Sequence, residues 1–423
     1  MTSARVVHLL LVDADARPLG LLEPVEAPTP WWPDVEPVVQ AVRERWGLDV
    51  QVLRVLSGHS RTAAANGAAE GGVVTYLAQV RDDARQAPLR PAPTGLADAA
   101  LAAEPLRAPW AQPGGPRRIA SWADEVLAAR GTPRTGAVEQ VKTWNLSSIL
   151  RLPTDAGPVW CKSVPPFFAH EASVIEHVGR RHAALVPQVL AAEPSTGSML
   201  LADVPGTDQW NAPHERLLEM VDTVVDLQWE SVAQVGELRA LGLPDWRGAA
   251  LVAAVTALSR RADVRAELTG EQCGRLDALV DALPALEREL EHSGLPDTLV
   301  HGDLHPGNWR HGAGGLVLLD WGDSGVGHPL LDGPAFLERV PGDRRGEVLE
   351  AWAARWRHHV PQADVERAAQ LVRPLAALRQ ALIYQGFVDR IEPDERIYHR
   401  ADVPHWLGEA LAEASRIGLD QTL

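Results

Sequence analysis

The chain is poor in cysteine and lysine, and both shortages narrow what the protein can be. Only two cysteines occur among 423 residues, Cys161 and Cys273, so neither a disulfide framework nor a zinc site is expected. A reducing cytoplasm is therefore the simplest location. The only lysines are Lys142 and Lys162. The net charge of −16 argues against a general nucleic-acid or anionic-membrane surface, because both need positive charge.

No membrane-length hydrophobic run stands at the start of the chain. The apolar run at Val6–Val12 has the length of a strand and stops at Asp13, so it is too short to cross a membrane. The first residues contain neither a basic leader nor a small-residue cleavage site. We therefore expect neither a signal peptide nor a membrane anchor.

Several parts follow one another along the chain. Residues 1–85 predict a small α/β domain, and residues 86–118 predict a linker because seven prolines interrupt helices and strands there. Short strands and two helices, the first beginning near Ser121, are predicted for residues 119–204, and mostly helices for residues 205–423. The predicted elements of the small domain are a strand at Val6–Val12, a helix at Val35–Trp46, and strands at Val50–Leu56 and Val73–Val80.

The most informative segment of the chain runs from His301 to Asn308. It contains an Asp and an Asn five residues apart, and a second Asp ends the apolar run that follows. In kinase-like phosphotransferases one such Asp accepts the proton of the substrate hydroxyl, while the Asn and the later Asp hold Mg²⁺. Asp303 is therefore the predicted base, and Asn308 and Asp320 are the predicted metal ligands. Their oxygens are hard ligands that suit Mg²⁺, which shares its coordination with substrate phosphates.

A phosphate-binding lysine is expected on the third strand of the sheet-rich part. Lys162 lies at that place, in the apolar segment 159–164, and it would neutralise the α- and β-phosphates of a nucleotide. The alternative is a lysine on an edge strand that points into water. Its ion-pair partner would come from the next helix, where Glu171 and Glu176 are the candidates.

From about residue 119 onward the chain resembles the aminoglycoside phosphotransferase and choline-kinase-like family. This resemblance implies an α+β, bilobal protein-kinase-like fold, in which a small antiparallel-sheet lobe precedes a large helical lobe. It also implies ATP or GTP as the phosphate donor, and Glu171 rather than Glu176 as the partner of Lys162. The segments that carry it are His301–Asn308, Leu319-Asp320-Trp321, Gly327-His328-Pro329, Asp332, His170-Glu171-Ala172, Val186-Pro187 and Leu200–Gly206.

The resemblance also assigns parts of the nucleotide site. The backbone around Ala202 and Val204 would hydrogen-bond the nucleotide base. The loop between the first two strands of the lobe, residues 144–148, departs from the pattern because it contains no glycine. Phosphate contacts there would come from backbone amides and from Ser147 or Ser148. Asp332 is expected to cap a helix or tie down a loop rather than to bind metal.

The sequence determines the acceptor less well. Four carboxylates at helical spacing would favour a cationic acceptor if their helix face lined the cleft, and a solvated helix face is the alternative. Trp210 is one of several tryptophans that could form an aromatic wall. Tyr384 and the segment 389–402 are where this family often shapes its acceptor pocket. The four carboxylates are Glu215, Glu219, Asp222 and Asp226.

Together these features predict a small-molecule kinase. It would transfer the γ-phosphate of ATP or GTP to a hydroxyl of an amino sugar, amino alcohol, sugar or antibiotic. The alternative is a non-catalytic nucleotide-binding protein on the same scaffold. Residues 1–85 resemble a degenerate Nudix-type domain through Glu36, Arg43-Glu44 and Gly47-Leu48, but the paired glutamates that bind metal in that type are missing.

Overall fold

The computed structural model describes residues 4–60, 71–81 and 88–419. These residues form two compact units. The first unit contains the described residues up to 169 together with residues 189–203 and 386–401, and the second contains residues 170–188, 204–385 and 402–419. Within the described ranges, no helix is both long enough and apolar enough to cross a membrane.

The N-terminal part of the first unit is a mixed sheet with two helices packed against it. Its elements are β1 (Arg5–Val12), β2 (Pro18–Leu22), β3 (Val25–Ala27), α1 (Glu36–Trp46), β4 (Val50–His59), β5 (Val73–Val80), β6 (Leu89–Arg90) and α2 (Leu96–Leu101). The strand order is β4-β5-β1-β2-β6, with β3 also paired to β1. Helix α1 buries Val38, Val39 and Val42 and ends at Gly47, whose φ of 65° suits glycine.

The second part of the first unit is an antiparallel sheet. Its elements are α3 (Gly115–Ala129), β7 (Glu139–Thr143), β8 (Ser148–Thr154), β9 (Gly157–Ser163), β10 (Val189–Glu193) and β11 (Ser198–Ala202). The strand order β10-β11-β9-β8-β7 places β9 in the centre. Helix α3 covers one face, with Ile119 and Leu127 packed against Leu150 and Cys161. The predicted helix start at Ser121 is wrong, because Pro116 lies in the first turn, where proline is favourable.

The second unit is mainly helical. Its helices are α4 (Glu171–Gly179), α5 (His214–Ser231), α6 (Val235–Ala240), α7 (Gly248–Ser259), α8 (Ala262–Ala266), α9 (Gly270–His292), α10 (Gly333–Glu338), α11 (Arg345–His359), α12 (Val365–Arg390, whose last turns belong to the first unit) and α13 (Asp402–Arg416). Its strands are β12 (Thr207–Asp208), β13 (Asp245–Trp246), β14 (Thr298–Val300), β15 (Trp309–Gly312), β16 (Gly315–Leu318) and β17 (Gly325–Gly327). They form two small sheets with the orders β12-β15-β16 and β13-β17-β14.

A sheet-rich part followed by a helical part confirms the predicted α+β class. The proline-rich stretch contains β6, α2 and the first residues of α3, so part of it is regular structure. The division of the chain at residues 85, 118 and 204 stays a prediction.

Candidate active site

The catalytic loop, residues 301–308, follows β14 and turns sharply at Gly302. This glycine has a φ of 91°, a left-handed conformation that other residues rarely adopt. A Cβ atom here would also lie 2.0 Å from the carbonyl oxygen of Asp323. Glycine is therefore required immediately before Asp303.

Two side chains from outside the catalytic loop hold its first residues. The Asp332 carboxylate accepts hydrogen bonds from the backbone N–H groups of His301 and Gly302, both at 2.9 Å. The Arg379 guanidinium donates to the carbonyl oxygen of Gly302 at 2.8 Å. Asp332 and Arg379 are each 1% exposed, so these charge-assisted bonds are shielded from water. Asp332 thus ties down a loop, which is one of the two roles expected for it.

The carboxylate of Asp303 lies at the exposed tip of this loop. Its side chain is 44% exposed, and His305 Nε2 lies 3.6 Å from Asp303 Oδ2. Burial raises the pKa of Asp303, but the contact with His305 outweighs that effect and keeps the pKa below its ordinary value. Asp303 is therefore ionised at neutral pH, as a proton acceptor must be.

Asn308 is oriented by the same carboxylate. Its Nδ2 donates to the backbone oxygen of Asp303 at 2.8 Å and to Asp303 Oδ2 at 3.1 Å. This engages the nitrogen end of the amide and leaves its oxygen for another partner.

Asp320 is brought beside this loop by its neighbour Leu319. The N–H of Leu319 donates to the carbonyl oxygen of Asn308 at 2.9 Å, and the carbonyl oxygen of Leu319 accepts from His301 Nε2 at 3.0 Å. Asp320 itself is exposed and has a φ of 64°, in the left-handed region. Such a conformation in a residue other than glycine is often associated with functional sites. The structure therefore brings together Asp303, Asn308 and Asp320, as the sequence predicts.

Lys162 lies on β9, the central strand of the antiparallel sheet. The side chains of β9 alternate, so that Cys161 and Ser163 are buried while Lys162 is half-buried on the opposite face. Its neighbours across the sheet are Ile149 and Met199. The alternative of an edge-strand lysine is therefore wrong.

Glu171 is the first residue of α4 and is 1% exposed, whereas Glu176 is exposed. Its Oε1 accepts a hydrogen bond from the backbone N–H of Trp321 at 3.2 Å, one residue after Asp320. This burial favours Glu171 over Glu176 as a functional residue. The ion pair between Glu171 and Lys162 stays a prediction, because the two residues belong to different compact units.

The remaining predicted nucleotide contacts lie in two backbone segments. Ser147 ends the loop before β8 and Ser148 is the first residue of that strand, and they are 7% and 3% exposed. Ala202 ends β11, and the carbonyl oxygen of Val204 accepts from Arg310 Nε at 2.8 Å. Contacts of these residues with a nucleotide stay predictions.

Comparison with known proteins identifies the family. The sequence model of the phosphotransferase enzyme family matches residues 138–371, which is more than half of the chain. The chain belongs to the phosphotransferase enzyme family. This confirms the predicted family and the predicted class of enzyme. Residues before 138 lie outside the match, so the Nudix-type resemblance stays a prediction. No curated protein matches the chain.

Solved structures share the fold of this phosphotransferase at low sequence identity. Choline kinase LicA from Streptococcus pneumoniae has a TM-score of 0.50 and 14% identity, covering 70% of this chain and 99% of that one. A choline/ethanolamine kinase family protein from Mesorhizobium loti has a TM-score of 0.48 and 16% identity, covering 71% and 100%. Macrolide 2′-phosphotransferase MphH from Brachybacterium faecium has a TM-score of 0.44 and 16% identity, covering 66% and 97%. The first likeness, together with the family match, confirms the predicted protein-kinase-like fold.

An aromatic side chain lies next to the catalytic loop of the phosphotransferase. The Trp210 ring stacks on His305 with 4.9 Å between ring centroids, and it is 50% exposed. It packs over Gly307, where a Cβ atom would lie 2.3 Å from the ring. The Arg339 guanidinium lies 5.8 Å from the Trp210 ring centroid. Trp210 is thus a predicted aromatic wall that the structure places against His305 and Gly307, two residues that follow Asp303 in the same loop.

Sequence reasoning missed two features of this phosphotransferase. Arg379 lies within the long helix α12, where nothing in the local pattern separates it from other arginines. His305 belongs to the motif, but its contact with Asp303 was not anticipated. A histidine two residues after the predicted base was the available signal.

Proposed function

We propose that the protein is a small-molecule kinase that transfers the γ-phosphate of ATP or GTP to a hydroxyl group. The observation that supports this most is the set of backbone hydrogen bonds that Leu319 makes with His301 and Asn308. They hold an ionised Asp303, an oriented Asn308 and an exposed Asp320 in one small region, and phosphoryl transfer depends mainly on such positioning.

In this proposal Asp303 accepts the proton of the acceptor hydroxyl. The acceptor oxygen forms a bond to the γ-phosphorus while the bond from that phosphorus to the bridging oxygen breaks, and the nucleoside diphosphate leaves. The low pKa of Asp303 and its 44% exposure support the role, since the carboxylate is ionised and can be reached by a substrate. His305 keeps the carboxylate charged and aimed.

Asn308 and Asp320 fit the magnesium ion that this chemistry requires. The Asn308 nitrogen is engaged by Asp303, so the amide oxygen remains as a hard ligand, and the Asp320 carboxylate is exposed. Among the described residues, no three His, Cys, Asp or Glu side chains cluster as a complete metal site. A two-ligand site suits Mg²⁺, which draws its other ligands from phosphates and water and neutralises their charge.

The first unit would bind the rest of the nucleotide. Lys162 would neutralise the α- and β-phosphates, with Glu171 as its ion-pair partner. Ser147 and Ser148 would contact the phosphates, and the backbone at Ala202 and Val204 would bind the base. The half-buried position of Lys162 on the central strand supports its role.

A hydroxylated and cationic acceptor, such as an amino sugar, amino alcohol or aminated antibiotic, is favoured by the charges around Tyr384. Burial, followed by the negative charges of Asp402, Asp303 and Asp323, raises the pKa of Tyr384 well above its ordinary value, and the positive charge of Arg339 acts in the opposite direction. The ring of Trp210 would stack on a sugar or form a cation–π contact with an amine.

The carboxylates on α5 do not support a cationic acceptor. Asp226 accepts hydrogen bonds from Nε and Nη2 of Arg355 and lies 2.9 Å from His359 Nε2. Glu219 pairs with Arg216 on the same helix. Two of the four carboxylates are therefore neutralised by neighbouring side chains, which leaves less negative charge on this face for a cationic acceptor.

The cytoplasm is the proposed location. Cys161 and Cys273 are both free thiols, which suits a reducing compartment. A neutral sugar remains the second class of acceptor. A non-catalytic nucleotide-binding protein is disfavoured because Lys162, Asp303, Asn308 and Asp320 are all present.

The test is a screen of hydroxylated amines, sugars and antibiotics with MgATP and with MgGTP, read by ³¹P NMR. We expect one acceptor class to give a phosphate ester, and Asp303→Asn to lower kcat about 10³-fold, within the range for loss of a general base. The variant should still bind the Mg-nucleotide, measured by calorimetry. Unchanged turnover in Asp303→Asn would contradict the assigned base, and nucleotide binding without any transfer would favour the non-catalytic alternative.

A further inference from the structure

The loop Trp144–Ser148, called here the phosphate loop, is built without the residues that usually shape such loops. It contains no glycine, and none of its residues has a positive φ. Its turn is closed by two hydrogen bonds from Trp144, one from the backbone N–H to the carbonyl oxygen of Ser147 and one from Nε1 to Ser147 Oγ, both 3.0 Å. A loop of this composition needs support from elsewhere to keep its backbone amides in place.

That support comes from the C-terminal part of the first unit, through Asn145. Asn145 is 2% exposed, and its Nδ2 donates to the carbonyl oxygen of Glu395 at 3.1 Å. Its Oδ1 accepts from His399 Nε2 at 3.2 Å. Both ends of one buried amide are therefore bound by a single short segment, Pro393–His399, called here the clamp segment.

Aromatic contacts reinforce the same connection. The Trp144 ring lies 5.8 Å from the Tyr398 ring in an edge arrangement and 5.8 Å from the His399 ring. The carbonyl oxygen of Trp144 accepts a hydrogen bond from Nε1 of the buried Trp110 at 3.0 Å. The first two residues of the phosphate loop are thus held by two separate parts of the chain, the clamp segment and Trp110.

The clamp segment is itself anchored to the N-terminal sheet. Glu392 directly precedes it, is 3% exposed, and accepts hydrogen bonds from Arg54 Nε at 3.0 Å and from Arg107 Nε at 2.9 Å. Arg54 lies on β4 and is 1% exposed. Glu395 Oε1 accepts from the backbone N–H of Val55 on the same strand at 3.4 Å. A buried ion pair of this kind is costly to break, so the segment has a fixed position on β4.

We propose that Asn145 and the clamp segment position the phosphate loop for the nucleotide, and that the N-terminal sheet serves catalysis by anchoring that segment. The inference rests on the proposed nucleotide-dependent transfer. Asn145 is a positioning residue, since its side chain is used entirely within the protein and the contact to phosphate is made by its neighbours. A loop ordered before binding loses less conformational entropy on capturing the phosphates, so the affinity for the nucleotide is higher.

The test compares Asn145→Ala with Gln140→Ala in the full-length chain. Gln140 is a matched control because it is 4% exposed and its side chain also joins β7 to β4, donating to the carbonyl oxygen of Val52 at 2.7 Å and accepting from its N–H at 2.9 Å. It makes no described contact with the phosphate loop. Both variants should lower the melting temperature, but only Asn145→Ala should raise the KM for the Mg-nucleotide.

The expected rise in KM is about tenfold, the effect of losing one or two buried hydrogen bonds. The kcat and the KM for the acceptor should change less than twofold, and hydrogen exchange at residues 144–148 should accelerate. His399→Leu should act like Asn145→Ala, whereas His399→Gln, which keeps a donor at the same reach, should restore most of the affinity.

The possible outcomes separate this inference from the proposed function. Equal rises in KM for Asn145→Ala and Gln140→Ala would show a merely structural role and overturn it. Faster exchange in the phosphate loop without any change in nucleotide affinity would also overturn it, while the proposed function would stand. If the wild-type protein bound no Mg-nucleotide, the proposed function would fail first and the positioning role with it.

Discussion

The catalytic loop and the phosphate loop have comparable proposed tasks, but they are built in opposite ways. The catalytic loop carries its shape in its own residues, since Gly302 permits the sharp turn and Pro306 stiffens the return. Its tethers, Asp332 and Arg379, lie in the same compact unit and the same helical part of the chain. The phosphate loop has neither glycine nor proline, and it depends on residues about 250 positions away.

The two loops should therefore respond differently to single substitutions. The catalytic loop is held by charge-assisted bonds to its backbone, so removing one charged tether leaves buried N–H groups without acceptors. The phosphate loop is held by several weaker contacts, and losing one of them leaves the others in place. Single substitutions should therefore act more severely on the catalytic loop.

Asp332→Ala should have the largest effect among the tethers. It removes the acceptors of two buried backbone N–H groups, each costing about 1–3 kcal/mol when unsatisfied, so we expect the unfolding free energy to fall by roughly 3 kcal/mol. Turnover should fall about 10²-fold or more because Asp303 is no longer positioned. Chemical denaturation and steady-state kinetics measure both effects.

The affinity for the Mg-nucleotide serves as the internal control for that experiment. It should change less than turnover, because the phosphate loop belongs to the other compact unit and Asn308 is the one proposed magnesium ligand that the catalytic loop carries. Asp332→Asn, which keeps one acceptor oxygen, should be intermediate. A folded Asp332→Ala protein with normal turnover would show that the catalytic loop needs no tether.

The contrast also explains what the sequence could predict. Asp303 and Asn308 are five residues apart, and Asp320 follows within one hairpin. The predicted base and both predicted magnesium ligands therefore lie in one short segment of the sequence. Lys162 is recognisable from the sequence because it lies on an apolar strand in a chain with very few lysines. For the segment 303–320 and for the strand that carries Lys162, the informative residues lie close together in the sequence. Their types and spacing therefore suffice for the prediction.

The remaining features depend on distant contacts and gave no local signal. Asn145 looks like an ordinary loop residue until the fold brings His399 to it from 254 positions away. The sequence predicts the start of α3 too late, because the density of prolines favours a linker there, whereas Pro116 fits the first turn of the helix. The segment 389–402 is divided, since Glu392, Glu395 and His399 are buried in the first unit while Asp402 belongs to the second, and its part in the acceptor pocket stays a prediction.

Asp320→Ala tests the motif without disturbing either tether. The side chain is exposed, so we expect little change in melting temperature. Removal of one magnesium ligand should weaken Mg-nucleotide binding by about 10- to 100-fold, the range seen when groups that support a metal site are lost. Titration calorimetry at several Mg²⁺ concentrations measures this, with Asp323→Ala as the neighbouring control. Unchanged affinity would remove Asp320 from the proposed metal site.

The smallest effect concerns the anchor of the clamp segment and depends on pH. Burial and the nearby Glu392 raise the pKa of Glu395 from 4.5 to about 8, so in the folded protein this carboxyl is neutral at pH 7. The contribution of this neutral carboxyl to the free energy of unfolding is fully present below pH 4.5. That stabilisation declines as pH rises from 4.5 to 8, because the unfolded chain releases the proton and the folded one retains it.

Glu395→Gln should remove this pH dependence while keeping the acceptor for the Val55 N–H. Relative to the wild type, the variant should melt at a similar temperature at pH 5 and at a higher one at pH 8, with a gain on the order of a few kcal/mol at most. Glu392→Gln is the contrasting variant, because it leaves Arg54 and Arg107 without a carboxylate and should destabilise the protein at every pH.

If the clamp segment supports the phosphate loop, the wild-type KM for the Mg-nucleotide should rise between pH 7 and 9. The rise should be smaller in Glu395→Gln. Parallel melting curves for the wild type and Glu395→Gln across this range would show that Glu395 is ionised in the folded protein, and would remove pH sensitivity from the comparison of the two loops.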